Sequence, residues 1–215
     1  MTTECIQAKV GPGYSGSMGS LAPVRAVLPM ALAAVVAGSA CEGSADGVLV
    51  QGPASRLVLQ PRDAPAGMAR FGSAPDGSTR SFGPGGSDEP EPRATWVSRY
   101  RQVDPAVVEG PLVVESSAAL FDTVNDARVD LARARQGLQG LGGADPVSLP
   151  SIGEESYAVT FEQPATPRTV RFVVIAWRFG NATASVTVQG FDVTPEDAVP
   201  LARAQQRHLE EAAAR

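Results

Sequence analysis

Cysteine and histidine are almost missing from the chain: its 215 residues hold two cysteines, Cys5 and Cys41, and one histidine, His208. If the N-terminus is removed, nothing is left to pair with Cys41, so a disulfide framework is excluded from the domain that follows. A histidine-rich metal site is excluded as well, and a serine or cysteine nucleophile has no histidine base other than His208. The pattern HExxH, a GxSxG elbow and a phosphate loop are all absent. Lysine is nearly absent too, with Lys9 the only one among the basic residues. Residues 1–40 carry Lys9, Arg25 and Glu4; the rest of the chain keeps 16 basic and 22 acidic residues, a net charge of −6. No basic run survives to neutralise phosphates, so nucleic acid is not an expected partner.

No apolar run is long enough to span a bilayer. Ala26 to Gly38 gives 13 residues interrupted by Pro29, which suits the apolar region of a signal peptide, with Arg25 before it and small residues after it. Residues 1–40 therefore read as leader and signal peptide. The 25 residues ahead of the run are long for a leader, and Met18 is an alternative start to Met1. Gly11-Pro12-Gly13-Tyr14-Ser15-Gly16 spells GxGxxG but follows no strand and opens no helix, so it reads as chance. Gly38-Ser39-Ala40-Cys41 resembles the lipobox of bacterial lipoproteins, which implies diacylation of Cys41; Gly38 and Ala40 also satisfy the small-x-small rule of ordinary cleavage. Two acyl chains suffice for stable anchoring. The expected location is outside the cell membrane, attached through lipid.

Residues 41–56 read as a linker able to hold a domain off a surface. The single folded domain is then 57–215, opening with Leu57-Val58-Leu59. Residues 72–93 contain five Gly, four Pro and four Ser, with Phe82 the only large apolar side chain between Gly72 and Arg93, and read as a disordered loop.

The most informative stretch is Thr169 to Phe191. Val170, Phe172, Val173, Val174, Ile175, Trp177 and Phe179 favour a strand. Gly180-Asn181 supplies a two-residue hairpin loop, and alternation resumes from Ala182 to Val188. That loop sets Phe179 opposite Ala182, Trp177 opposite Ala184, Ile175 opposite Val186 and Val173 opposite Val188 on a core face. The other face pairs Arg178 with Thr183, Ala176 with Ser185 and Val174 with Thr187, and is expected to be wet.

Ala94 to Val103, Gly110 to Ser116 and Ser156 to Phe161 read as further strands, the last forming a meander with the hairpin. Thr123 or Asn125 caps a helix to about Gly140, and Thr194-Pro195-Glu196-Asp197 opens a closing helix with Pro200 inside its pattern. The class is α+β: about five strands, mostly antiparallel, with two helices packed on one face.

Ile152-Gly153-Glu154-Glu155-Ser156, the run Ala176 to Ala182 and the closing helix resemble sensor-like domains found in actinobacterial lipoproteins and on the outer side of some membrane kinases. The resemblance covers about Leu112 to Arg207 and implies an extracytoplasmic domain with a binding cleft. The expected function is ligand binding or sensing without catalysis, the alternative being an adaptor for another envelope protein. Arg178, Thr183 and Ser185 are the candidate ligand-facing residues, and a small anionic or lipidic molecule is the expected ligand. No cofactor or metal is expected: Asp122, Asp126 and Asp130 read as the acidic start of a helix, adjacent Glu154 and Glu155 on a strand point apart, and His208 reads as exposed to solvent.

Overall fold

The computed structural model describes residues 47–75, 90–107, 109–166 and 168–214. Cys41 and the leader therefore lie outside the described residues, as does most of the expected loop at 72–93. Seven strands form one sheet: β1 (Met68–Ala74), β2 (Ala94–Gln102), β3 (Gly110–Leu120), β4 (Asp145–Pro146), β5 (Glu155–Ala165), β6 (Arg168–Phe179) and β7 (Ala182–Phe191). Their spatial order is β1-β2-β3-β7-β6-β5-β4, with every neighbouring pair antiparallel. The sheet is thus two sets of antiparallel neighbours joined through β3 and β7.

The expected count of about five strands falls short at both edges. Residues Gly72 to Ala74 of the expected loop belong to β1, whose mostly exposed and small side chains give no hydrophobic signature. The two residues of β4 are too few to register as a strand in sequence. In the centre, the hairpin register matches pair for pair: Phe179 with Ala182, Trp177 with Ala184, Ile175 with Val186, and Arg178 with Thr183. Only Gly180 of the loop takes positive φ (57°), as the first central residue of a type II′ turn does.

Helix α1 (Val124–Gln139) begins as expected at Thr123, whose side chain accepts from the Asp126 amide. It ends at Gly140, ahead of the Gly142-Gly143 pair. Helix α2 (Pro195–Ala213) begins with a capping box between Thr194 and Asp197 and runs through Pro200.

The helices do not share a face, contrary to expectation. Leu201, Ala202 and Leu209 of α2 join the cluster of Ile175, Trp177 and Val186. Leu131 and Leu138 of α1 join Val159, Val174 and Ala176. Residues 174 to 177 alternate across β6, so α1 and α2 cover opposite sides of the sheet. The polar stripe expected to be wet is the floor beneath α1.

The described part of the expected linker, residues 47–56, folds together with the start of the expected domain. Val50, Ala54, Leu57, Val58 and Leu59 are buried in the α2-side cluster, covering β2 and β3 beside the helix. Short 3₁₀ helices at Ala54–Arg56 and Pro61–Asp63 turn this segment. Ser116 ties the layers together: its hydroxyl accepts from the Leu59 amide (2.9 Å) and donates to Gln205 Oε1 (2.8 Å). Tyr100 donates to the Leu59 carbonyl at 2.6 Å. Among the described residues, the buried members of this core run from Val50 to Leu209.

Candidate functional site

Arg178, Thr183 and Ser185 share one face, as the register requires, but α1 roofs it. Arg178 is 3% exposed. Its guanidinium meets Glu154 Oε2 at 2.6 Å, Glu155 Oε1 at 2.9 Å and the Gly180 carbonyl at 3.0 Å. The missing countercharge comes from the start of β5, a neighbour the hairpin alone cannot reveal. The hydrogen bond from Arg178, and a weaker one from Arg128, hold the Glu155 carboxyl below its ordinary range. Thr183 donates to Asp130 Oδ2 at 2.7 Å, and the hydroxyls of Ser185 and Ser117 lie 2.7 Å apart. The space left beneath α1 is about 30 Å³, room for one water and no ligand. Arg178 thus ties β6 to the start of β5, Thr183 ties α1 to β7, and Ser185 links β7 to β3.

A larger cavity lies elsewhere. Gln51 to Pro53, Arg56 and Gln60 to Arg62 face His208, Glu211 and Ala212 of α2 across about 760 Å³. Its wall is largely apolar, with Pro53, Pro61 and Ala212, and its charges are Arg56, Arg62 and Glu211 around His208. Among the described residues the Arg56 side chain makes no hydrogen bond or ion pair, and that of Arg62 only approaches Asp63 at 3.9 Å.

His208 corrects another expectation. It is 8% exposed, and its Nε2 lies 2.8 Å from Asp63 Oδ2. Asp63 Oδ2 also accepts from the Gln60 amide at 2.7 Å, which completes the turn at Pro61. The single histidine thus clamps α2 to the N-terminal segment and forms part of the cavity wall. The sequence signal for this site was weak: Pro53 and Pro61 bracket an apolar run, but nothing local places it against a helix some 150 residues on.

A second cleft, about 410 Å³, lies on the other flank of α2, between Ser151 to Glu154 and residues Arg203, Gln206, Arg207 and Glu210, with Phe179 at its side. Both carboxylates here have partners behind them: Glu154 holds Arg178, and Glu210 accepts from Gln206 Nε2 at 3.0 Å. Among the described residues the Arg203 and Arg207 side chains have none. Asp122, Asp126 and Asp130 are not brought together as ligands, and among the described residues no group of three or more His, Cys, Asp or Glu side chains could hold a metal. No described helix is long and apolar enough to cross a membrane.

This architecture, a seven-stranded antiparallel sheet between one helix on each face with a cavity at one flank, defines an α+β domain. No protein-family model matches the chain, and no curated protein matches it. Among solved structures it is similar to the extracellular domain of PknH from Mycobacterium tuberculosis, with a TM-score of 0.59 and 11% identity over 77% of this chain and 100% of that one. At that identity the likeness is one of fold.

Proposed function

We propose that this chain is an exported, lipid-anchored, non-enzymatic domain of the sensor-like kind, which binds an amphipathic ligand with an anionic head in the 760 Å³ cavity beside α2. The observation that carries the reading is that cavity itself. Its size falls within the roughly 300–1,000 Å³ range of small-molecule sites, and its wall is apolar with a few polar groups at the edge, as such sites are. In a chain of net charge −5, its rim offers two guanidinium groups against one carboxylate. An apolar tail against Pro53, Pro61 and Ala212 with a carboxylate or phosphate at Arg56 and Arg62 uses both properties. The fold shared with an extracellular domain supports the sensor-like part of the reading, and the lipobox-like Cys41 supports the anchor.

The test is a thermal-shift series with palmitate, lysophosphatidylglycerol and their uncharged counterpart monopalmitoylglycerol. The anionic pair should raise the melting temperature more than the neutral one, and Arg56→Gln with Arg62→Gln should abolish that preference. If no amphiphile shifts the midpoint, the cavity reading fails and the envelope adaptor takes its place. The anchor is tested apart, by the mass of the mature N-terminus from a lipoprotein-competent bacterium, where an unmodified Cys41 would remove it.

A further inference from the structure

The cleft of about 410 Å³ on the other flank of α2 holds charges of both signs that leave one another unpaired. Arg207 and Glu210 stand three residues apart on the helix, a spacing at which opposite charges are neighbours and commonly pair. Among the described residues they do not, and the Arg203 side chain is equally without a partner. The Glu210 carboxylate is held instead from the layer beneath. Trp177 Nε1 donates to Gln206 Oε1 at 2.8 Å, and Gln206 Nε2 donates in turn to Glu210 Oε1 at 3.0 Å. The buried amide thus fixes Glu210 by one oxygen, and Oε2 has no protein partner among the described residues.

The opposite wall, Ser151 to Glu154, is also fixed. The Glu154 amide donates to the Arg178 carbonyl at 2.9 Å, and Gly153, at φ 64°, lies so close to that carbonyl and to the Trp177 ring that a β-carbon would collide with both. Trp177 therefore supports the two walls at once. The Glu154 carboxylate is answered from behind: Oε2 meets Arg178 at 2.6 Å and Oε1 accepts from the Gly180 amide at 3.3 Å. What the cleft leaves open is two guanidinium groups and one carboxylate, with the Phe179 ring at their side.

We infer that this cleft is a second binding site, for a short zwitterionic peptide. Its terminal carboxylate lies at Arg203 and Arg207, whose planar forks suit a carboxylate; its terminal ammonium lies at Glu210, and an apolar side chain packs on Phe179. The mixture of signs selects this class, because a simple anion would face Glu210 and a simple cation would face both arginines. The volume falls at the small end of the roughly 300–1,000 Å³ range of ligand sites, which suits a dipeptide. The site goes beyond the amphiphile cavity: the two share α2 but no lining residue, and Glu211 belongs to the other flank.

The experiment titrates leucyl-leucine, N-acetyl-leucyl-leucine and leucyl-leucine amide into the full chain by calorimetry. The unblocked dipeptide should bind most tightly, and each blocked form roughly fivefold more weakly, the scale of one exposed ion pair. Arg203→Gln with Arg207→Gln should erase the advantage over the amide and keep that over the acetylated form. Glu210→Gln, which retains an acceptor for Gln206, should do the reverse. Both variants should keep the wild-type melting temperature, and Arg56→Gln with Arg62→Gln should leave every peptide affinity unchanged. Equal binding of the three peptides, no binding of any at millimolar concentration, or preferences that survive these substitutions overturns the site. Failure of amphiphiles to bind, with the peptide preferences intact, bears on the other cavity alone.

Discussion

Asn181 grips Val50 across 131 positions of sequence through its side-chain oxygen, while its Nδ2 donates to the Phe121 carbonyl at 2.7 Å. One buried amide thus fastens the start of the described chain and the end of β3 to the hairpin turn. Asn181→Ala leaves the Val50 amide and the Phe121 carbonyl without partners, at about 1–3 kcal/mol each. Urea denaturation should show a loss of roughly 2–6 kcal/mol, large for a turn residue.

Trp177 is fully buried, with Nε1 donating to Gln206 Oε1 at 2.8 Å. Trp177→Ala should cost about 3–5 kcal/mol. Ser185→Ala, on the opposite face, should cost about 1 kcal/mol through loss of its bond to Ser117. If Ser185→Ala were silent, within about 0.5 kcal/mol, that face would behave as solvated surface.

Arg178→Ala removes a buried cation that holds Glu154, Glu155 and the Gly180 carbonyl. Stability should fall by about 1.5–3 kcal/mol, the scale of hydrogen bonds to charged groups. Amphiphile binding below the melting transition should be unchanged, because Arg178 lies outside the cavity. A variant that keeps the wild-type midpoint would contradict the three-way contact.

Glu155 supplies a pH dependence of definite sign. Its carboxyl titrates lower in the folded state than in the unfolded chain, first because of the bond from Arg178. The unfolded state therefore takes up the proton first as pH falls. The contribution is complete above the unfolded value and disappears as pH drops through the folded one. Glu155→Gln should flatten the acid limb of a melting-temperature profile below about pH 5 and leave the neutral region nearly parallel to wild type.

The hairpin was legible because a two-residue loop leaves no freedom of register, a β-branched and aromatic run precedes it, and side chains alternate from Ala182 to Val188 after it. The helix starts at Thr123 and Thr194 were legible from their capping residues. What sits on each face was not. Thr183, Ser185 and Arg178 look like solvated groups until Asp130, Ser117 and Glu154 are brought to them from other elements, and alternation says nothing of such partners. The cavity was hidden for a related reason. Gln51 to Pro53 has a linker's composition, and only the burial of Val50 and Ala54 on either side shows it to be a wall.

The central pairing of β3 with β7 has a consequence for how the chain reaches its native state. Ser117 and Ser185 meet across 68 positions, so the two sets of strands cannot be joined until β7 has been made. Before then the first three strands end in a bare edge at β3, and α2, which closes the larger cluster, is still to come. Pairings so distant in sequence pay loop-closure entropy before they return any contact energy, which slows folding. Completion of the sheet therefore waits on β7, whatever the order in which the earlier strands pair.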